Sequence, residues 1–392
     1  MCGIHAVSCP SSKVDAGPDP VLKERLSARG PDHYGTVHQV IDQDGCGDPL
    51  DIRLTSTVLS LRGDHVAKQP LVDERSGSAL CWNGEVWRLD GRTLEGNDTE
   101  AIFQLLLDAS ARRGAADEAS DPVLEALRLI EGPFAFIYLD KPAKRLYVGR
   151  DRLGRRSLLM RRGRPFTLSS IAEPPSEDWV EVEADGCYTV QLDQWRDPTG
   201  LTMLRHGWHE DDSLVSSQQI SLSCLMSKPQ CRTVNSLLQI SGIGMINSQT
   251  TDDPPYLTAA SSAVEELHRH LVQSLSLRIL DIPVPPGATD PDARLAVLFS
   301  GGLDCTMLAR IAHDVLPAGQ PIDLINVAFE NPRIASQHKG HSQEQLYELC
   351  PDRITGRKSF AELVKTCPGR TWRLLTVCNP SPPPTTRFAT LD

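Results

Sequence analysis

Short apolar runs recur through the first 210 residues, at 56–61, 79–82, 134–139 and 145–148. They are punctuated by Gly, Pro and Asp and read as strands. Between them, residues 99–107 place Ile102, Leu105 and Leu106 on one side at helical spacing. This half is expected to be strand-rich and layered. The pattern breaks at residues 213–251, where nine of thirty-nine residues are Ser and none is acidic, so that an irregular linker is expected. Helical spacing returns with Val264, Leu267, Leu271 and Leu275, and Ser262-Ala263-Val264-Glu265 ahead of them has the form of a capping box. A strand at 295–299, a Gly-rich turn, a helix with Met307, Leu308, Ile311 and Val315 on one face, and a second apolar run at 322–329 predict the βαβ unit of a parallel sheet. The final stretch, with Pro380, Pro382, Pro383 and Pro384, has too little apolar content to fold alone. The expected divisions are 2–210, a linker at 211–255, a second domain at 256–378 and a disordered tail at 379–392.

A chain of 392 residues exceeds what one core of about 150 residues holds, which agrees with more than one domain. Forty basic against fifty-one acidic side chains leave a net charge of −11. With no basic run, this argues against a nucleic-acid or anionic-membrane partner. No stretch approaches the roughly 18 apolar residues of a membrane span. The N-terminus lacks the cationic and apolar regions of a signal peptide, so a cytoplasmic location is expected. The eleven Cys are scattered and none stands in Cys-x-x-Cys spacing, which signals neither a disulfide framework nor a zinc site.

Two segments carry candidate chemistry. Cys2 follows the initiator Met, whose removal would leave one residue bearing both a thiol and a free α-amine. The amine can take the thiol proton, directly or through a water, and the sulfur can then attack an amide carbonyl. Trp82-Asn83-Gly84-Glu85 reads first as a two-residue hairpin turn. The side-chain amide of Asn83 and the N–H of Gly84 are also the donors that an oxyanion requires. Further on, Ser300-Gly301-Gly302-Leu303-Asp304-Cys305 joins a predicted strand to a predicted helix. Such a turn aims backbone N–H groups and a positive dipole end at one point, as a phosphate site does. The Walker form is absent.

Ordered blocks then give a resemblance: Cys2-Gly3-Ile4, Arg29-Gly30-Pro31-Asp32, Arg62 ahead of Gln69-Pro70-Leu71, Asn83-Gly84-Glu85, Asn97-Asp98-Thr99-Glu100, Gly132-Pro133-Phe134-Ala135-Phe136 and Arg150-Asp151-Arg152-Leu153-Gly154. The chain resembles the class II glutamine amidotransferases of asparagine synthetase type. Asp352-Arg353-Ile354-Thr355-Gly356-Arg357 and Arg155-Arg156-Ser157 look closer still to the divergent asparagine synthetase domain-containing branch. That resemblance implies an N-terminal nucleophile hydrolase-like αββα sandwich (α+β), followed by an α/β adenine-nucleotide pyrophosphatase-loop domain. It implies Cys2 as nucleophile, Asn83 and Gly84 as the oxyanion hole, and glutamine held by Arg62, Asn83, Gly84, Glu85 and Asp98. Arg62 would face the α-carboxylate and Asp98 the α-ammonium.

For ATP and its pyrophosphate the resemblance implies Leu298, Ser300, Gly301, Gly302, Asp304 and Val327, with Asp304 toward Mg²⁺. Cys305 stands where that loop commonly has Ser, which weakens the expected grip on pyrophosphate. The Arg29 and Arg150 blocks read as loop and packing determinants, and His5 and His33 as bystanders. The implied reaction is asparagine synthesis from aspartate, ATP and glutamine-derived ammonia, in a possible homodimer. The alternative is a glutaminase-only or inactive descendant that binds a nucleotide or a protein. In that family the synthetase half runs on through a second Gly/acidic loop, so the second domain is expected to be incomplete, with 213–251 and 379–392 doubtful as coding sequence.

Overall fold

The computed structural model describes residues 1–10, 17–43, 49–60, 65–94, 96–113, 121–161, 165–174, 178–192, 202–208, 219–221, 257–258, 260–280, 282 and 292–379. The chain divides into two compact units, Met1–Asp252 and Asp253–Asp392.

Two antiparallel sheets form the first unit. One holds β1 (Gly3–Pro10), β2 (His33–Ile41), β3 (Leu50–Val58), β11 (Leu159–Arg161), β12 (Phe166–Ser169) and β13 (Trp179–Glu181), in the order β13-β11-β12-β1-β3-β2. The other holds β4 (Leu71–Val72), β5 (Ala79–Gly84), β9 (Phe134–Asp140), β10 (Arg145–Arg150), β14 (Gly186–Gln191), β15 (Thr202–Gly207) and β16 (Gln219–Ser221), in the order β16-β15-β14-β10-β9-β5-β4. The last of these lies within the Ser-rich stretch and pairs with β15; the rest of that stretch is outside the described residues. A small third sheet joins β6 (Arg88–Leu89), β7 (Arg92–Thr93) and β8 (Ile130–Glu131).

Alternation along β9 explains the layering. Ala135, Ile137 and Leu139 enter the core between the sheets, against Ile4, Ala6, Ile52 and Leu54. Phe134, Phe136 and Tyr138 point the other way, onto Ile102 and Leu106 of α2 (Asp98–Arg112) and Val123 and Leu127 of α3 (Pro122–Arg128). A strand buried on both faces reads as one continuous apolar run. On the far side, α1 (Pro20–Arg29) covers the first sheet with Leu22 and Leu26. Helix, sheet, sheet and helix pair thus stack as four layers. Asp19, Asn97 and Asp121 each cap a helix by accepting from backbone N–H groups of its first turn.

The second unit has a parallel sheet of β17 (Leu295–Leu298), β18 (Ile322–Phe329) and β19 (Trp372–Asn379). Its helices are α4 (Ser262–Ile279), α5 (Leu303–Val315), α6 (Pro332–Gln337), α7 (Gln343–Glu348) and α8 (Pro351–Thr366). One sheet face is buried: Phe299, Leu324 and Trp372 pack on Ala309, Ala312 and Leu363. The other carries Leu298 at 76% and Phe329 at 61% exposure. No helix among the described residues is long and apolar enough to cross a membrane.

Several local expectations are corrected. The apolar run at 56–61 belongs to a strand that starts at Leu50 and ends at Val58, because Leu50, Ile52 and Leu54 alternate inward past the polar Asp51 and Arg53. Ser262 is not a capping-box residue: the cap is Ser261, whose hydroxyl accepts from Thr258 N. Met307 and Leu308 are exposed at 41% and 38%, while Ala309, Ile311 and Ala312 are buried. Ile311 and Val315 thus face inward as expected, while Ala309 and Ala312 take the core positions expected for Met307 and Leu308.

Candidate active site around Cys2

Cys2 stands just before β1. Its sulfur accepts from Leu59 N at 3.4 Å and its thiol faces Leu59 O at 3.7 Å, where the chain leaves β3. Arg29, at the end of α1, donates Nε to the Cys2 carbonyl at 3.2 Å. Thr57 ties these pieces together, since its hydroxyl donates to Leu26 O at 2.6 Å and accepts from Gly3 N at 3.0 Å. Burial pushes the Cys2 thiol above its ordinary value, against the pull of the Leu59 hydrogen bond and the charged terminus. Burial also lowers the terminal amine of Met1 from its ordinary 8.0.

Asn83 and Gly84 close the cleft from the other sheet. They end β5, paired with Ala135 and Phe134 of β9, so the expected two-residue hairpin does not form. Beyond Gly84 the chain is held instead by Glu85 N donating to Pro133 O and Trp87 N to Glu131 O. A Cβ on Gly84 would lie 2.7 Å from Phe134 Cβ and 2.8 Å from Pro133 O, so only glycine allows the strand to pass here. The Asn83 side chain is 1% exposed. Its amide nitrogen Nδ2 has no hydrogen-bond partner among the described residues. A buried donor left unmatched is costly and marks a place where an acceptor belongs.

Cys2, Asn83, Gly84, Glu85 and Asp98 line one cleft. Asp98, 5% exposed at the start of α2, accepts from Val86 N at 2.9 Å. Arg62 lies outside the described residues. Arg156, which the sequence did not single out, lines the cleft and pairs with Glu85 at 3.0 Å. Arg29, expected as a loop and packing determinant, grips the backbone of Cys2 itself. Membership in an ordered block carries no direction of pointing. Arg150 donates to the carbonyls of Arg156, Val182 and Gly154, and Asp151 accepts from Phe134 N, which anchors the neighbouring loop.

In the second unit the predicted phosphate loop lies between β17 and α5. Gly301 has φ +82, and Gly302 caps α5 with no side-chain cap bond, leaving first-turn N–H groups for a ligand. Ser300, Gly302 and Asp304 are exposed. Leu298 pairs in register with Ile325, two residues before Val327, so Leu298 and Val327 share a sheet face. No cluster of three metal-ligating side chains occurs among the described residues. A single carboxylate, Asp304, beside nucleotide phosphates still fits Mg²⁺, which keeps waters and takes substrate phosphate as ligand. The Cys305 thiol donates to Gly302 O at 3.3 Å and so turns back on its own loop.

Residues 1–174 match the glutamine amidotransferase domain family. Human asparagine synthetase domain-containing protein 1 is 26% identical over 389 residues, covering 82% of this chain and 59% of that protein. Its bovine counterpart is 27% identical, covering 96% and 67%. The asparagine synthetase domain-containing protein CG17486 of Drosophila melanogaster is 29% identical, also covering 96% and 67%. The chain therefore spans 59% to 67% of the length of these relatives. Among solved structures, the glutamine phosphoribosylpyrophosphate amidotransferase of B. subtilis aligns at TM-score 0.36 and 13% identity, over 88% of this chain and 70% of that one. So loose a likeness carries no weight beside the sheet topology. The resemblance carried by the motifs is upheld: residues 1–174 match the glutamine amidotransferase domain, and most of the chain is similar to the asparagine synthetase domain-containing proteins.

Proposed function

We propose that the first unit hydrolyses the side-chain amide of glutamine, with Cys2 as nucleophile once Met1 has been removed. The observation that carries this reading is the buried Asn83 Nδ2, without a partner among the described residues, in the same cleft as Cys2. The freed α-amine takes the thiol proton while sulfur attacks the amide carbon. Asn83 Nδ2 and Gly84 N–H receive the developing oxyanion. As the C–N bond breaks, the amine returns its proton to nitrogen and ammonia leaves. Water, deprotonated by the same amine, then cleaves the thioester to glutamate. Asp98 receives the substrate ammonium and Arg62 its carboxylate, with the Glu85–Arg156 pair bordering the cleft.

The second unit takes ATP at Ser300, Gly301, Gly302 and Asp304, with the adenosine against Leu298 and Val327. Mg²⁺ at Asp304 would supply charge neutralisation for the phosphates. The ammonia acceptor is aspartate activated as β-aspartyl-AMP, which gives asparagine, AMP and pyrophosphate. What supports this is the loop geometry and the similarity to asparagine synthetase domain-containing proteins. A glutaminase-only role is the second reading, favoured by the Cys305 thiol turned onto Gly302 O. A coupled assay on the purified chain separates them. Glutamine-dependent AMP formation that requires aspartate is expected for synthesis, whereas glutamate release without AMP selects the second reading. Loss of glutamate release in Cys2→Ala is expected in both cases, and full turnover in that variant would end the glutaminase proposal.

A further inference from the structure

Asn326 is a polar residue inside the apolar strand β18 and is 0% exposed. Its Nδ2 donates to Phe299 O at 2.8 Å, immediately before the phosphate loop, and to Asp352 O at 2.9 Å, in the first turn of α8. Ser359, two helical turns further along α8, donates Oγ to Gly301 O at 2.7 Å. Between these bonds the two backbones nearly touch. A Cβ on Gly301 would lie 2.5 Å from Thr355 O, and one on Gly356 would lie 3.2 Å from Asn326 Cγ. The stretch Asp352-Arg353-Ile354-Thr355-Gly356-Arg357, which the glutaminase site does not use, is thus the floor beneath the loop.

A trans peptide points its C=O and the following N–H in opposite directions. Holding the carbonyls of Phe299 and Gly301 toward the floor therefore turns the N–H groups of Ser300 and Gly302 to the opposite side of the loop. Gly302 N there meets the Ser300 hydroxyl at 3.4 Å, a long contact that a stronger acceptor can displace. We infer that Asn326, Gly356 and Ser359 are positioning residues that fix the 300–302 backbone as an anion-facing cradle for the pyrophosphate moiety of a nucleoside triphosphate. This rests on the nucleotide reading of the second unit. It adds the residues that set the loop's donor direction without touching the ligand.

The test uses the full chain, with Ser359→Ala as the mild variant and Gly356→Ala as the severe one. Ser359→Ala leaves Gly301 O without its donor, and Mg·ATP binding is expected to weaken about tenfold. Adenosine affinity should stay within twofold, since the apolar contacts are untouched, and Ser359→Thr should restore ATP binding. Amide hydrogen exchange at 300–303 should quicken in Ser359→Ala, with the thermal midpoint little changed. ATP affinity within twofold of wild type in both variants would overturn the inference, as would equal losses for ATP and adenosine. Should the wild-type chain bind no ATP, the nucleotide reading fails. Exchange then judges the cradle alone: faster exchange in Ser359→Ala upholds it, and unchanged exchange overturns it.

Discussion

Cys2 and Asn83 reach one cleft from two different sheets, and each carries a mismatch that the proposed chemistry would resolve. For Asn83 it is a buried N–H donor with no acceptor among the described residues. Asn83→Ala is expected to lower glutaminase kcat by about 10²–10³ with KM little changed, because the donor acts where charge develops. Steady-state kinetics check this, and a rise in KM at unchanged kcat would assign Asn83 to ground-state binding instead. For Cys2 the mismatch is protonation. Burial raises the thiol, and the terminal amine is already lowered from 8.0 at Met1. With Met1 gone, the α-amine of Cys2 becomes the base, and the same burial that lowers the Met1 amine would favour its neutral form while it favours the protonated thiol. Acidification protonates that base, so kcat/KM should fall as pH drops through a midpoint below 8.0. A pH profile with a midpoint above 8.0 would make thiol ionisation the controlling event.

At the level of elements, Thr57 is the joint on which the nucleophile rests. Its hydroxyl bonds α1 through Leu26 O and β1 through Gly3 N, while its backbone lies in β3. Thr57→Val keeps the shape but leaves the buried Gly3 N–H unmatched and takes from Leu26 O the shorter of its two donors, the other being Gly30 N, and should cost about 1–2 kcal/mol of stability. Thermal unfolding would show the loss, with Thr57→Ser close to wild type. Nothing in the local sequence marks this threonine, because its partners lie far away along the chain. The same cause misdirected the reading of Asn83-Gly84: by local rules the pair is a hairpin turn, yet β5 finds its partner in β9, so the dipeptide ends a strand at the cleft. The strands at 134–139 and 145–148 were legible because burial on both faces writes itself as an unbroken apolar run.

Across the whole molecule, buried histidines bear on acid stability. His5 is 2% exposed, with Nδ1 unpartnered among the described residues, and burial lowers its pKa to about 4, as it does for His206. An unfolded histidine binds a proton near 6.5 while folded His5 refuses one until about 4. Its contribution is therefore complete above pH 6.5 and is lost as pH falls from there toward 4, by up to about 3 kcal/mol. Urea unfolding at pH 7 and pH 5 should show the drop, and His5→Phe should flatten it; an unchanged slope in that variant would place the acid sensitivity elsewhere. The sequence by itself determined what is local or periodic: the strand-rich first half, the βαβ second unit, the cysteine at position 2, and the ordered blocks. It could not determine direction. The meeting of Cys2 with Asn83, the grip of Arg29 on the nucleophile's carbonyl, the facing of Arg156 on Glu85 and the seating of Gly301 on Gly356 are contacts between segments distant in the chain. Only the packing of both sheet faces and the close approach of backbones decide them, because a residue's type sets what it can bond to and the fold alone sets what is within reach.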